Sequence, residues 1–167
     1  MSAIGKPLLS IIRNSVPVPL FRMQSARAVS LRDYAVATAA GRRSYDLHLV
    51  NGVASPSDLS GGLFLGPNGM SMRPKGTALA MLLAGFHGRC SVWEVPAGTP
   101  IPPELILLHE HTDHYALQPA QAMPLVELNK RLTSFLAQAG VVVSSRKQLY
   151  ERHPDLEPHA HGFSENA

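Results

Sequence analysis

Residues 90–123, CSVWEVPAGTPIPPELILLHEHTDHYALQPAQAM, decide how this chain folds. The stretch reads as three strands with polar punctuation. SVWEV (Ser91 to Val95) is rich in β-formers. PAGTPIPP (Pro96 to Pro103) cannot hold a helix, because its prolines fix φ and remove backbone donors. ELILLH (Glu104 to His109) is the continuous apolar run of a buried strand. HYALQ (His114 to Gln118) follows a short polar connection. In it Tyr115 and Leu117 point to one face, while His114, Ala116 and Gln118 share the other. Such a strand is a candidate wall of a site.

Composition narrows the function classes. The chain has 167 residues, 45% of them hydrophobic, which is enough for one globular domain with a real core. Only 16% are charged, so it is not a disordered acidic or basic tail protein. The net charge is +3, but Lys and Arg are scattered and do not interleave with aromatics, so no nucleic-acid partner is expected. A mildly positive surface favours a phosphate-bearing ligand. The single cysteine, Cys90, excludes an internal disulfide and fits a reducing or unconstrained compartment. No apolar run approaches the roughly 20 residues that cross a bilayer, so no membrane association is expected.

Working outward, LFLGPNGMSMRPKG (Leu63 to Gly76) carries the turn Gly66-Pro67-Asn68-Gly69 and leaves as a strand. Ser71 and Arg73 share one face of it, Met70 and Met72 the other. A hydroxyl beside a guanidinium suits ribose and phosphate oxygens. The competing reading is an ordinary hairpin with its polar residues in water. The glycines lack the spacing of a P-loop or dinucleotide fingerprint. VPVPLFRMQ (Val16 to Gln24) reads as an edge strand, since Pro17 and Pro19 are tolerated there. Arg22 lies within it; its fork suits a phosphate or a carboxylate, and a surface arginine is the plainer reading.

The remaining elements are structural. SLRDYAVATAA (Ser30 to Ala40) is expected as a short helix capped by Ser30, and SYDLHLV (Ser44 to Val50) as a strand with Asp46 and His48 facing out. TALAMLLAGF (Thr77 to Phe86) is a mostly buried helix. PLVELNKRLTSFLAQAG (Pro124 to Gly140) is the clearest helix, with Leu125, Leu128, Leu132, Phe135 and Ala139 inside and Glu127 paired with Arg131 outside. VVVSS adds a last short strand. Residues 1–16 contain Lys6, Arg13 and no acid, the pattern of a mitochondrial presequence interrupted by Pro7; the alternative is a loosely ordered extension. The domain is expected over residues 17–145, and residues 146–167 as a flexible tail.

Two motifs bear on chemistry. His109, His111, Asp113 and His114 form H-x-H-x-D-H, which resembles the zinc motif of metallo-β-lactamase-fold hydrolases. That fold needs further His and Asp ligands well downstream, and too little chain follows Tyr115, so no metal site is expected here. A second resemblance covers residues 19–135. LFR (Leu20 to Arg22), GLFLGPNGMSMRP (Gly62 to Pro74), VWEVPAGTPIPPEL (Val92 to Leu105) and D-HYALQP…MP (Asp113 to Pro124), followed by a helix, resemble in order and spacing the toxin family of the second type VI exported effector.

That resemblance implies an α+β fold, the ADP-ribosyltransferase-like split β-sheet with flanking helices. It also implies NAD as cosubstrate, an intracellular macromolecular target in the cytoplasm, and an immunity protein that neutralises the toxin. Arg22 falls where such folds hold the NAD phosphates. Ser71 falls in the segment lining the ribose and nicotinamide, with Arg73 near it, and His114, Tyr115 and Gln118 fall on the last motif strand. Most transferases add a glutamate that steadies the ribosyl cation. No E-x-E occurs here, and Glu110 and Asp113 are the nearest carboxylates. The expected catalytic residues are therefore Ser71, Glu110, His114 and Tyr115, and the expected NAD-binding residues Arg22, Ser71, Arg73 and Gln118. A metal-dependent hydrolase and a non-catalytic binding relative are the alternatives.

Overall fold

The apolar run around Leu107 becomes the middle of an antiparallel sheet that carries the site. The computed structural model describes residues 5–57, 59 and 62–158. In chain order the first half comprises β1 (Lys6–Pro7), β2 (Ser10–Ile12), β3 (Leu20–Gln24), α1 (Tyr34–Ala39), β4 (Val53–Ala54), β5 (Leu63–Phe64), β6 (Met70–Met72) and α2 (Thr77–Gly85). The second half comprises β7 (Ser91–Val95), β8 (Leu105–His111), β9 (His114–Pro119), β10 (Met123–Pro124), α3 (Leu125–Leu136), β11 (Val142–Ser145) and α4 (Arg146–Arg152), then a 3₁₀ turn over Pro154–Leu156.

Two main sheets result, both antiparallel. One has the order β2-β8-β9-β6, the other β11-β7-β3. They meet at a seam where Phe21 N donates to Arg73 O at 2.8 Å and Arg73 N returns a bond to Phe21 O at 3.1 Å. The seam brings Arg22 of one sheet beside Ser71 of the other. Two short pairs, β1 with β5 and β4 with β10, complete the strands.

Alternation along the strands builds two cores. Leu20, Trp93 and Val95 of the three-stranded sheet pack in one cluster with Met70, Met72, Leu107 and Leu117 of the four-stranded sheet, and Leu128, Leu132 and Phe135 of α3 join them. The opposite face of the three-stranded sheet shows Phe21 and Val92, covered by Leu79 and Leu83 of α2, Leu149 of α4 and Leu156. Each fully buried leucine contributes about 1.5–3 kcal/mol, so both clusters matter.

Several expectations change. Residues 5–16 are not a detached extension: β2 pairs with Leu107–His109 of β8, and Val16 is buried. The edge of an apolar strand needs a partner for its backbone groups, and β2 supplies it. Residues 1–4 lie outside the described residues. Residues 146–158 do not form a loose tail either. Ser145 and Gln148 form a reciprocal capping box, and Leu149 and Leu156 enter the second core. Residues 159–167 lie outside the described residues.

β5 and β6 do not pair with each other, so Leu63 to Gly76 is no hairpin; β5 pairs with β1 and β6 with β9. Ser44 to Val50 is not a strand, because Asp46 turns inward. Its carboxylate accepts from Arg32 N at 2.7 Å, Arg32 Nε at 3.1 Å and Arg32 Nη2 at 3.2 Å. Helix α1 starts after Asp33 rather than Ser30, and the Asp33 carboxylate accepts from Leu49 N instead of capping it. Helix α3 ends at Leu136, leaving Ala139 exposed, while the Glu127–Arg131 pair forms as expected at 2.9 Å. Among the described residues no helix is long and apolar enough to cross a membrane.

Candidate functional site

The site grows from the connection between β8 and β9. His111 pairs with His114 across the two-residue turn Thr112–Asp113, with Thr112 at φ 41°. A β-branched residue in that region is strained. His109 Nε2 bonds the Thr112 carbonyl at 2.6 Å and so helps hold the turn. Before the turn the register shifts between His109 and His111, which makes Glu110 the extra residue of a bulge. In a regular strand Glu110 and His111 would face opposite ways. Here the Glu110 carboxylate and the His111 ring both come to His114.

A chain of hydrogen bonds then runs from carboxylate to hydroxyl. Glu110 is 1% exposed, and its Oε2 lies 2.7 Å from His114 Nδ1. His114 Nε2 lies 3.0 Å from Ser71 Oγ. A carboxylate only accepts, so Nδ1 carries the proton; in the neutral ring Nε2 then accepts from the Ser71 hydroxyl. Hydroxyl, imidazole and buried carboxylate stand in the order that activates a hydroxyl oxygen and stabilises a proton on the ring. The strands explain the spacing. Ser71 pairs with Ala116, so His114 and Gln118 flank it two residues away on the same face.

Arg22 joins at the backbone of the same serine. Its Nη1 donates to Ser71 O at 3.3 Å and its Nε to Gln24 Oε1 at 3.1 Å. Burial pushes the guanidinium below its ordinary value; Asp46 opposes this and Arg32 adds to it. It stays protonated. Among the described residues no carboxylate lies within ion-pair distance of Arg22 or Arg73. Arg73 lies just beyond β6, bridged to Phe21, and its charge acts on His111. Burial, then His114, holds His111 below the usual imidazole range; Glu110 opposes this, while Lys6 and Arg73 add to it.

Gln118 is fully buried. Its Oε1 accepts from Asn68 Nδ2 at 2.8 Å and Ser57 Oγ at 3.1 Å, and its Nε2 has no partner among the described residues. This buried donor is covered by protein in the structure, so a ligand reaches it only if the neighbouring side chains move aside. Asn68 and Ser57 were not singled out in the sequence. Asn68 stood there as a turn residue, and nothing local marks Ser57.

Tyr115 does not join this group. It lies on the opposite face of β9, stacked on His109 with ring centroids 4.1 Å apart, and it belongs to the main core. Burial, then Asp113, raises its hydroxyl above the ordinary value, so it stays protonated and does not act on Ser71. The same stacking removes His109 from the other histidines, so the ligands of H-x-H-x-D-H are divided between two faces. Two clefts lie away from this group. One runs between Pro100, Pro102 and α3; another is lined by Arg27, Arg89, Arg146 and Lys147.

The α+β architecture with its separate antiparallel sheets is that of an ADP-ribosyltransferase-like fold. The family model for the Tse2 ADP-ribosyltransferase toxin matches residues 18–147, and the chain belongs to that family. A search of curated proteins found no match.

Proposed function

We propose that this toxin-family member takes ADP-ribose from NAD and transfers it to an intracellular macromolecule, with Ser71 at the reacting centre. The observation that carries the reading is the Glu110–His114–Ser71 chain, with Arg22 bonded to the carbonyl of the same serine. NAD supplies a ribosyl carbon from which nicotinamide departs, leaving positive charge on the sugar. The donor set fits that ligand. Arg22 offers a cation without a described carboxylate, suited to the pyrophosphate, and Arg73 a second one nearby. Gln118 Nε2 offers an orphan donor for a ribose or amide oxygen once the side chains covering it move aside.

Glu110 supplies the charge that a direct glutamate supplies in most transferases. Its carboxylate holds the His114 proton on Nδ1, which keeps Nε2 as acceptor for the Ser71 hydroxyl. The Ser71 lone pairs then turn outward, and their electron density faces the developing sugar cation. His114 is thus a positioning residue for Ser71. An immunity protein is the expected neutralising partner. The metal-dependent hydrolase is set aside, because His109 stands apart from His111 and His114.

The test combines NAD calorimetry with a growth assay in cells expressing wild type, Arg22→Ala, Arg22→Lys or Ser71→Ala. Arg22→Ala is expected to weaken NAD binding by about 1.5–3 kcal/mol, roughly ten- to a hundredfold. Arg22→Lys recovers part of this, since an ammonium lacks the fork. Ser71→Ala keeps affinity and loses toxicity. Absence of NAD affinity in wild type, or toxicity that survives both alanine changes in folded protein, overturns the reading in favour of a non-catalytic binding protein.

A further inference from the structure

We propose that Glu110, His111 and His114 form a binding site for a zinc-class transition-metal ion, and that filling it turns Ser71 off. One ligand atom from each residue lies within 4.8 Å of the others. Two imidazoles and a carboxylate are a zinc donor set, and three protein ligands leave the fourth position open. The set is not the H-x-H-x-D-H motif: it replaces His109 and Asp113 with Glu110.

Local structure brings the three residues together. The His111 and His114 rings are stacked, with centroids 5.1 Å apart and planes 9° apart, as closing pair of a two-residue turn. The bulge turns the Glu110 carboxylate to the same side, and Phe64 packs its ring 5.1 Å from His111. Stacked rings point their in-plane lone pairs side by side, so convergence on one ion requires the His111 ring to turn about its Cβ–Cγ bond. Lys6 and Arg73 place positive charge near His111, which disfavours weakly held hard cations such as magnesium. A transition-metal ion with strong imidazole affinity overcomes that repulsion.

The switch follows from the tautomer. At rest His114 carries its proton on Nδ1, toward Glu110, and accepts from Ser71 at Nε2. An ion entering between Glu110 and His114 takes the Nδ1 lone pair, so the ring proton must sit on Nε2. No proton is lost from the neutral ring; it changes nitrogen. Nε2–H then donates to Ser71 Oγ, occupying the lone pair meant for the sugar cation and withdrawing density from it.

The inhibitory half rests on the function proposed for Ser71 and His114; the binding half does not. Zinc chloride is titrated into the tag-free full chain by calorimetry, with magnesium chloride as control, for wild type, His111→Ala and His111→Gln. The His114 ring-nitrogen NMR signals are followed alongside. Expected are one equivalent of zinc, no magnesium heat, a tautomer change at His114, and at least tenfold weaker zinc binding in both variants. Failure of wild type to bind zinc, or unchanged affinity in both variants, overturns the site; the latter locates the ion at other histidines. For the switch, zinc inhibits NAD turnover by wild type and tenfold less by the His111 variants. Equal inhibition, or none despite bound zinc, overturns it. If wild type has no NAD turnover, the transferase reading and the switch fail together, while calorimetry still decides the site.

Discussion

At the scale of single residues, the proposed function turns on Glu110. Glu110→Gln conserves volume at a position 1% exposed and deletes the charge behind His114. NAD consumption is expected to fall on the order of 10²- to 10⁴-fold, with NAD affinity and melting temperature little changed. An undiminished rate reduces Glu110 to a structural partner of its histidine. Cys90 offers a second test. Burial raises its thiol above the usual value, and Arg146 offsets this only in part. The thiolate fraction at pH 8 is therefore lower than in a free cysteine, and reaction with a chromogenic disulfide should be slower than for an unfolded control. Equal rates would show the thiol to be unperturbed. The motif residues Arg22, Ser71 and His114 stood out in the sequence because each is polar on a strand that otherwise buries its neighbours. Tyr115 shared the motif with His114, yet strand alternation sends it to the other face.

At the scale of elements, β6 and β2 carry the testable features. A Cβ on Gly69 would lie 2.4 Å from the Leu117 carbonyl oxygen. Gly69→Ala must push β6 away from β9, lengthening the Ser71–His114 bond. A loss of about 1–3 kcal/mol in urea unfolding is expected, together with reduced toxicity. Wild-type stability would mean that the turn yields freely. Deletion of residues 2–14 strips β2 from β8 and opens the edge of its Leu107–His109 segment. We expect a loss on the order of 2–4 kcal/mol, read as a lower melting temperature or insolubility, in place of the tolerance that the sequence alone suggests. An unchanged melting temperature would make β2 dispensable. A presequence cleaved there would remove the same strand, so a reporter carrying residues 1–30 that stays diffuse in the cytosol would exclude a mitochondrial address. The strands around the site were legible from composition and proline placement. The bulge was not, since one inserted residue leaves the hydrophobic pattern of Leu105–Leu108 unchanged.

At the scale of the whole molecule, two cores sit on either face of the three-stranded sheet. Leu149 is fully buried in the second, against α2 and Phe21. Leu149→Ala is expected to cost about 2–5 kcal/mol, measured by denaturant unfolding, and a value below 1 kcal/mol would mean that α4 is only loosely docked. Because Phe21 joins the two sheets through Arg73, loosening α4 should also disturb Arg22. Helix α2, read from the sequence as mostly buried, buries only Leu79, Ala80 and Leu83 and leaves Met81 and Leu82 exposed. The sequence by itself determined the α+β class, the strands β3, β7, β8 and β9, most of the buried face of α3, and the family. Those properties are written in local periodicity, proline and glycine placement, and ordered motifs. Only the tertiary structure decided which polar groups meet. Glu110 reaches His114 through a bulge, Ser71 reaches it through pairing across 43 residues of chain, and residues 5–16 and 146–158 join the fold by long-range burial. Such contacts depend on register and docking between distant segments, and no single segment carries the free energy that selects them.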